Sequence, residues 1–170
     1  MEHIRTYRAK CSLQTLGRWM MEIRELRPDE VDVWVELRRA LWPDTGPEAL
    51  RADADRVLSS PDEICFLLVD PARGPVGFLE GAIHPGPEEP HAHLEAWYVV
   101  PGLRGRGHGA ALLDRFENWC IHRSICNLTS DTDPGYPISP HAHAGCGFRV
   151  LTRQTIFIKE LQPSSPADRV

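Results

Sequence analysis

The chain has 170 residues, 42% of them hydrophobic and 25% charged, with a formal net charge of -5. That length suits one domain with a real core, and that composition excludes a fibrous or disordered chain. The acidic balance argues against nucleic acid as a partner and suits a cationic small substrate, while the longest apolar runs, such as Cys65 to Val69, are far shorter than the roughly 18 residues of a membrane span.

Residues 1–20 are basic and lack a continuous apolar centre, so they read as a loosely attached leader and not as a secretory signal. The folded domain is expected to run from 21 to 161, followed by a flexible tail, 162–170. A short strand is expected over 21–26, and "RPDE" then starts a helix with Asp29 as N-cap. Val31, Trp34, Val35 and Leu41 recur at helical spacing, with Arg38 the one polar residue on the stripe. Trp42-Pro43 stops that helix, and a second one is expected over 47–59.

"ICFLLVD" reads as a buried strand, "PARGP" as a hairpin turn and "VGFLEGAI" as the returning strand. "HPGPEEPHAH" is expected to be a surface loop, and "LEAWYVV" the third strand of the meander. A glycine-arginine turn leads into a helix from about 109 to 122, then come a short strand at 125–130, the polar loop "DTDPGYP", a short helix near 138–145 and a last strand or hairpin around 148–161. This order describes an α/β chain with a mixed sheet and helices on its faces. Five cysteines without a CxxC pair fit a reducing cytoplasm.

The turn "RGRGHGA" carries the first chemical signal. Amide groups at a helix start have no intrahelical partners and sit at the positive end of the helix dipole, so they hold phosphate anions. Glycine lets such a ligand approach, and Arg104 and Arg106 add charge. The spacing is neither a Walker loop nor a dinucleotide fingerprint.

Arg104-Gly105-Arg106-Gly107-His108-Gly109 resembles the acetyl-coenzyme A pyrophosphate loop, Gln/Arg-x-x-Gly-x-Gly/Ala, of the GNAT superfamily of N-acetyltransferases. Its flanks agree: an apolar strand precedes it, an amphipathic helix follows, and "GCGF" at 145–148 stands where the superfamily carries a Leu-Gly-Phe/Tyr element. "LRRALWP", "LEAWYVVP", "SDTDP" and "ISPHAHAGCGF" are similar, in order, to segments of the aminoglycoside 6'-N-acetyltransferases. The resemblance covers about 21–161 and implies the GNAT fold, with a central, mostly antiparallel sheet flanked by helices. It further implies acetyl-CoA as co-substrate, an aminoglycoside or other cationic amine as acceptor, antibiotic resistance as outcome, direct attack in a ternary complex, and a homodimer.

Acetyl transfer to an amine requires removal of the ammonium proton, stabilisation of an oxyanion and a proton for the departing thiolate. Glu95 and Asp131 are the candidate bases and substrate-binding acids, with Asp133 a competitor for the second role and Glu80 extending the acidic surface. The resemblance implies that Trp97, Tyr98 and Val99 present backbone groups to the pantetheine arm and thioester. It implies that Arg104, Gly105, Arg106, Gly107, His108, Gly109 and Ala110 hold the pyrophosphate, with Tyr136 a further cofactor contact. His143 occupies the place of the superfamily's tyrosine proton donor. Trp42 is either a wall for a sugar ring or part of the core.

The chain departs from the group in lacking a tyrosine in "HPGPEEPHAH", in having Thr152 where an acid is usual, and in Pro140 and His141 at the start of the short helix. These departures touch the acceptor site. The His91/His93 and His141/His143 pairs lack a third ligand, so no metal is expected, and Cys146 reads as a packing residue. The alternatives are a peptide or other small-amine N-acetyltransferase and a non-catalytic CoA-binding sensor.

Overall fold

The computed structural model describes residues 21–152; the expected leader (1–20), the far part of the expected last strand or hairpin (153–161) and the tail (162–170) lie outside the described residues. The chain divides into two compact units between Asp131 and Thr132.

In the first unit, β1 (Glu22–Glu25) leads through a 3-10 turn (Pro28–Glu30) into α1 (Val31–Leu41), then α2 (Pro47–Ala52) and α3 (Ala54–Ser59). β2 (Glu63–Asp70), β3 (Gly74–His84) and β4 (His91–Val99) follow as a meander. A 3-10 turn (Pro101–Leu103), α4 (His108–Ile121) and β5 (Leu128–Ser130) complete the unit. The sheet order is β1-β2-β3-β4-β5, antiparallel throughout except for the parallel β4-β5 pair.

Two apolar faces make this arrangement necessary. Cys65, Leu67, Phe78, Ala96 and Tyr98 pack with Trp34, Val35, Leu37 and Leu50 of the first helices. On the other face α4 lies against β2, β3 and β4, burying Leu112, Leu113 and Phe116 almost completely. Gly81 is required there: a Cβ would lie 2.1 Å from the Phe116 ring.

Several elements differ from expectation, each for a local reason. Asp29 does not cap α1; it lies inside the 3-10 turn, and Glu30 occupies the N-cap position. The Glu30 carboxylate accepts the Arg27 amide at 3.3 Å and is gripped by Arg24 at 2.5 Å. The helix expected over 47–59 is two helices broken at Asp53. The Leu50 carbonyl, which a continuous helix would offer to Ala54, accepts a 2.5 Å bond from Arg38, and a side chain entering the ladder is a recognised cause of such breaks. The loop expected over 84–93 is shorter, because His84 pairs with His91 and the ladder runs on to Gly77↔Val99.

Arg38, the polar residue on the apolar stripe, explains itself in the fold. It is 7% exposed, and its guanidinium lies between two indoles, 4.6 Å from the Trp34 ring and 5.1 Å from that of Trp42. One nitrogen donates to Asp53 at 2.9 Å. Nε stands 3.4 Å from Glu80 Oε1, close enough for charge pairing though not aligned as a hydrogen bond. Glu80 is therefore a buried carboxyl and not an open acidic surface: it is 5% exposed and accepts a 2.6 Å bond from Trp34 Nε1.

Burial pushes the Glu80 carboxyl up from its ordinary 4.5 to about 7, against the opposing pull of Arg38 and Trp34. Because the folded state holds this proton more tightly, the stability it contributes is complete below pH 4.5 and is lost as pH rises to about 7. Glu80→Gln removes that loss. Thermal melts of both proteins between pH 5 and 8.5 should show wild type losing ground to the variant as pH rises, by on the order of 3 kcal/mol, and then levelling off.

The second unit holds α5 (Ser139–Gly145) within its described residues. The "GCGF" element is the end of this helix. Gly147 has φ +89°, its amide donates to Ala144, and the Phe148 amide donates to His143, the paired bonds of a Schellman cap. Residues 148–152, the near part of the expected last strand, carry no strand.

Candidate active site

β4 carries an irregularity that organises the site. Glu80 pairs with Ala96 and Gly81 with Leu94, so Glu95 is an extra residue with no partner on β3: a β-bulge. The bulge turns Glu95 to the α1 face. There it lines a cavity of about 260 Å³ with Trp42, Arg38, Asp53, Glu63 and Glu80. Trp42 packs its partly buried ring against the core cluster and also lines the cavity.

The cavity lining mixes four carboxyl groups with two arginines. Asp53 is pushed up by burial, but its bonds from Arg38 and Arg56 outweigh this and hold it below the ordinary range. Arg56 also pairs with Glu63. Glu95 remains, with a 43% exposed side chain held at one oxygen by His84 Nε2 at 2.8 Å.

The same strand reaches the glycine-arginine turn from its other face. Trp97 Nε1 donates to the Gly109 carbonyl at 3.1 Å, and Gly109 lets the indole lie close, since a Cβ there would be 3.1 Å from the ring. The β4-β5 pairing runs only as far as Leu94↔Ser130. The Tyr98 side chain is buried beside Phe78.

Arg104 braces the turn. Its Nε donates to the Val99 carbonyl at 2.7 Å and its guanidinium lies 5.3 Å from the Tyr98 ring centre. Arg106 is exposed. Gly105 and Gly107 have φ of +72° and +83°, and no atom lies within 4 Å of a Cβ built at either. The first α4 bond across its cap runs from Ala111 to Gly107, so the amides of His108, Gly109 and Ala110 precede the intrahelical ladder. An open glycine surface below a 14-residue helix start fits a pyrophosphate.

A family model described as "Acetyltransferase (GNAT) family" matches residues 31–148. The chain belongs to the GNAT acetyltransferase family. As a member, this acetyltransferase draws its acetyl group from acetyl-CoA and transfers it to nitrogen. It is 32% identical over 138 residues to the aminoglycoside N(6')-acetyltransferase type 1 of Serratia marcescens, covering 78% of this chain and 94% of that protein. The Klebsiella aerogenes enzyme of the same name is 31% identical, with 82% and 96% covered. Among solved structures, AAC(6')-Iy in complex with the bisubstrate analogue CoA-S-monomethyl-acetylneamine is similar at a TM-score of 0.73. Its identity is 27%, with 84% of this chain and 99% of that chain covered.

Asp131 ends the first unit with a 91% exposed side chain, 3.5 Å from His93 Nε2. In the second unit, Tyr136 lies in a tight turn closed by its amide on the Asp133 carbonyl. His143 Nδ1 is 2.8 Å from the Ser139 carbonyl, which can only accept, so Nδ1 carries hydrogen. The Phe148 ring meets the imidazole edge-on at 5.1 Å. His141 and His143 share a helix, where residues two apart diverge. Among the described residues no group of three or more His, Cys, Asp or Glu is placed to hold a metal ion. No helix among them is long and apolar enough to cross a membrane.

Sequence reasoning missed the role of His84. Its partner sits at a bulge, which regular alternation cannot place.

The turn makes one quantitative expectation. Gly107→Val puts a branched side chain at φ +83° on the open surface. It should raise the KM for acetyl-CoA about tenfold or more while changing the acceptor KM little, with a stability loss of roughly 1–2 kcal/mol. Steady-state kinetics with each substrate varied in turn and a thermal melt check both parts.

Proposed function

We propose that this acetyltransferase modifies the 6'-amine of aminoglycosides by direct attack in a ternary complex, and so confers resistance. The observation that carries the reading is the two-sided strand β4. Its bulged Glu95 lines an acid-rich cavity with Trp42, while Trp97 ties the same strand to the first turn of α4. The acceptor and acyl-donor regions are thereby joined by three residues of one rigid element. The named activities of the relatives support the same acceptor class.

Acetyl-CoA, when bound, supplies the activated acyl group. Glu95 binds the substrate ammonium and takes its proton, freeing the nitrogen lone pair. Asp131, at the end of β5, adds a second negative charge for a polycationic substrate. Trp42 offers an apolar face to a sugar ring. Trp97, Tyr98 and Val99 present backbone groups to the pantetheine arm, and the turn from Arg104 to Ala110 holds the pyrophosphate, with Tyr136 a further contact. His143 delivers a proton to the departing sulfur; with Nδ1 committed to Ser139, it acts as the imidazolium through Nε2. A cytoplasmic homodimer completes the proposal on the resemblance to this group.

The test is steady-state release of free CoA from acetyl-CoA with aminoglycosides, polyamines and short peptides as acceptors. Turnover confined to aminoglycosides bearing a 6'-amine supports the reading. Preference for peptides moves the chain to the peptide class, and tight acetyl-CoA binding with no turnover makes it a CoA-binding sensor.

A further inference from the structure

Three imidazoles gather at the hairpin end of β3 and β4, beside the loop of residues 85–90, on the cavity face of the sheet. The His84 ring lies 5.9 Å from those of both His91 and His93, tilted against the first and edge-on to the second. His84 Nε2 is 2.8 Å from Glu95 Oε1. His93 is fixed by Thr129 Oγ1 at 2.9 Å and stands 3.5 Å from Asp131 Oδ1. The charged groups around His84 are thus Glu95, His91 and His93, with Asp131 beyond His93 and Glu80 behind Glu95.

An ionised carboxylate can only accept, so the resting contact is a hydrogen carried on His84 Nε2. This holds Glu95 Oε1 in one direction and leaves Oε2 for a ligand in the cavity. A base that takes one proton per turnover must also discard one per turnover. The Glu95 side chain is 43% exposed and that of His84 45%, so the pair stands at the solvent boundary, with the His84 nitrogen 2.8 Å from the oxygen it relieves of its proton.

We propose that His84 is a positioning residue for Glu95 and the exit for its proton. The proposal rests on Glu95 being the base that deprotonates the acceptor amine. The ammonium N–H bond breaks as an O–H bond forms on Glu95. With Glu95 neutral, solvent exchange moves the His84 hydrogen from Nε2 to Nδ1, and the carboxyl turns its O–H toward the ring. That O–H bond then breaks as Nε2 takes the hydrogen, regenerating the carboxylate beside an imidazolium, and Nδ1 releases its hydrogen to water, which restores the resting Nε2–H tautomer. Water is the only co-reactant.

The test compares wild type, His84→Gln, His84→Ala and Glu95→Gln with neamine as acceptor. Glutamine at 84 keeps a donor for Glu95 and cannot accept a proton. The expected result for His84→Gln is a kcat at least about tenfold lower, with the KM values for neamine and acetyl-CoA within about twofold of wild type. His84→Ala should lose kcat similarly and regain activity in proportion to added imidazole, a rescue that a purely structural role does not give. A wild-type kcat in His84→Gln, or no imidazole rescue of a folded His84→Ala, overturns the proposal while leaving Glu95 as base. Full activity in Glu95→Gln, or no turnover of neamine by wild type, removes the reading beneath it and overturns both.

Discussion

Replacing Glu95 by glutamine is expected to lower kcat by about a hundredfold to ten thousandfold, the range that a positioned general base supplies. The substitution is close to isosteric at a half-exposed side chain, and glutamine keeps the oxygen that His84 contacts at 2.8 Å. The bulge and the cavity should therefore survive, with the KM for acetyl-CoA nearly unchanged. What disappears is the carboxylate's ability to take the ammonium proton. The deficit should shrink as pH rises toward the acceptor amine's own pKa, because free amine then reaches the site already deprotonated. A kcat-pH series on both proteins decides the matter: a constant ratio assigns Glu95 to binding alone, and a ratio that closes at high pH assigns it to proton removal.

The second large effect is on stability. Arg38→Met removes the cation from a buried cluster and leaves Glu80, 5% exposed, with only the Trp34 indole for company. Breaking a buried pair by removing one partner costs about 3–5 kcal/mol, and the loss of the Arg38 bonds to Leu50 and Asp53 adds to it. The pH dependence gives the prediction its signature. In wild type the Glu80 contribution stops changing once pH passes about 7. Without Arg38, which pulls that value down, the folded state holds the proton to higher pH. The variant should go on losing about 1.4 kcal/mol per pH unit where wild type has levelled. Urea unfolding at pH 6, 7.5 and 9 measures this; parallel wild-type and variant curves would show that Glu80 is stabilised by something other than Arg38.

Periodicity made the order of elements legible, because it reports which face of each element is buried, and both faces of this sheet are covered. The strand "ICFLLVD" and the helix after the glycine turn lie close to where alternation and amphipathicity put them. The missed features have a common physical origin. The break at Asp53 and the inward Glu80 depend on Arg38 reaching partners distant in sequence, and the displaced cap at Asp29 on Arg24 reaching from β1 to Glu30. Periodicity does not contain that information. In the candidate site, the glycine-arginine turn was readable because its residues are contiguous. The cavity was readable only in part: Trp42 and Glu95, both singled out in the sequence, line it, whereas Arg38, Asp53 and His84 join them through tertiary contacts.

The bulge in β4 makes Glu95 supernumerary to the fold. Leu94 already faces Gly81, and Ala96 already faces Glu80, so those two residues would be ordinary ladder neighbours if Glu95 were absent. Excising it would heal the strand into a regular ladder, with every other side chain of β4 left on its present face. The architecture therefore exerts no claim on this position. On the proposed role of Glu95 as base, a single-codon deletion would be a short route from an enzyme to a folded, coenzyme-binding protein that is chemically silent.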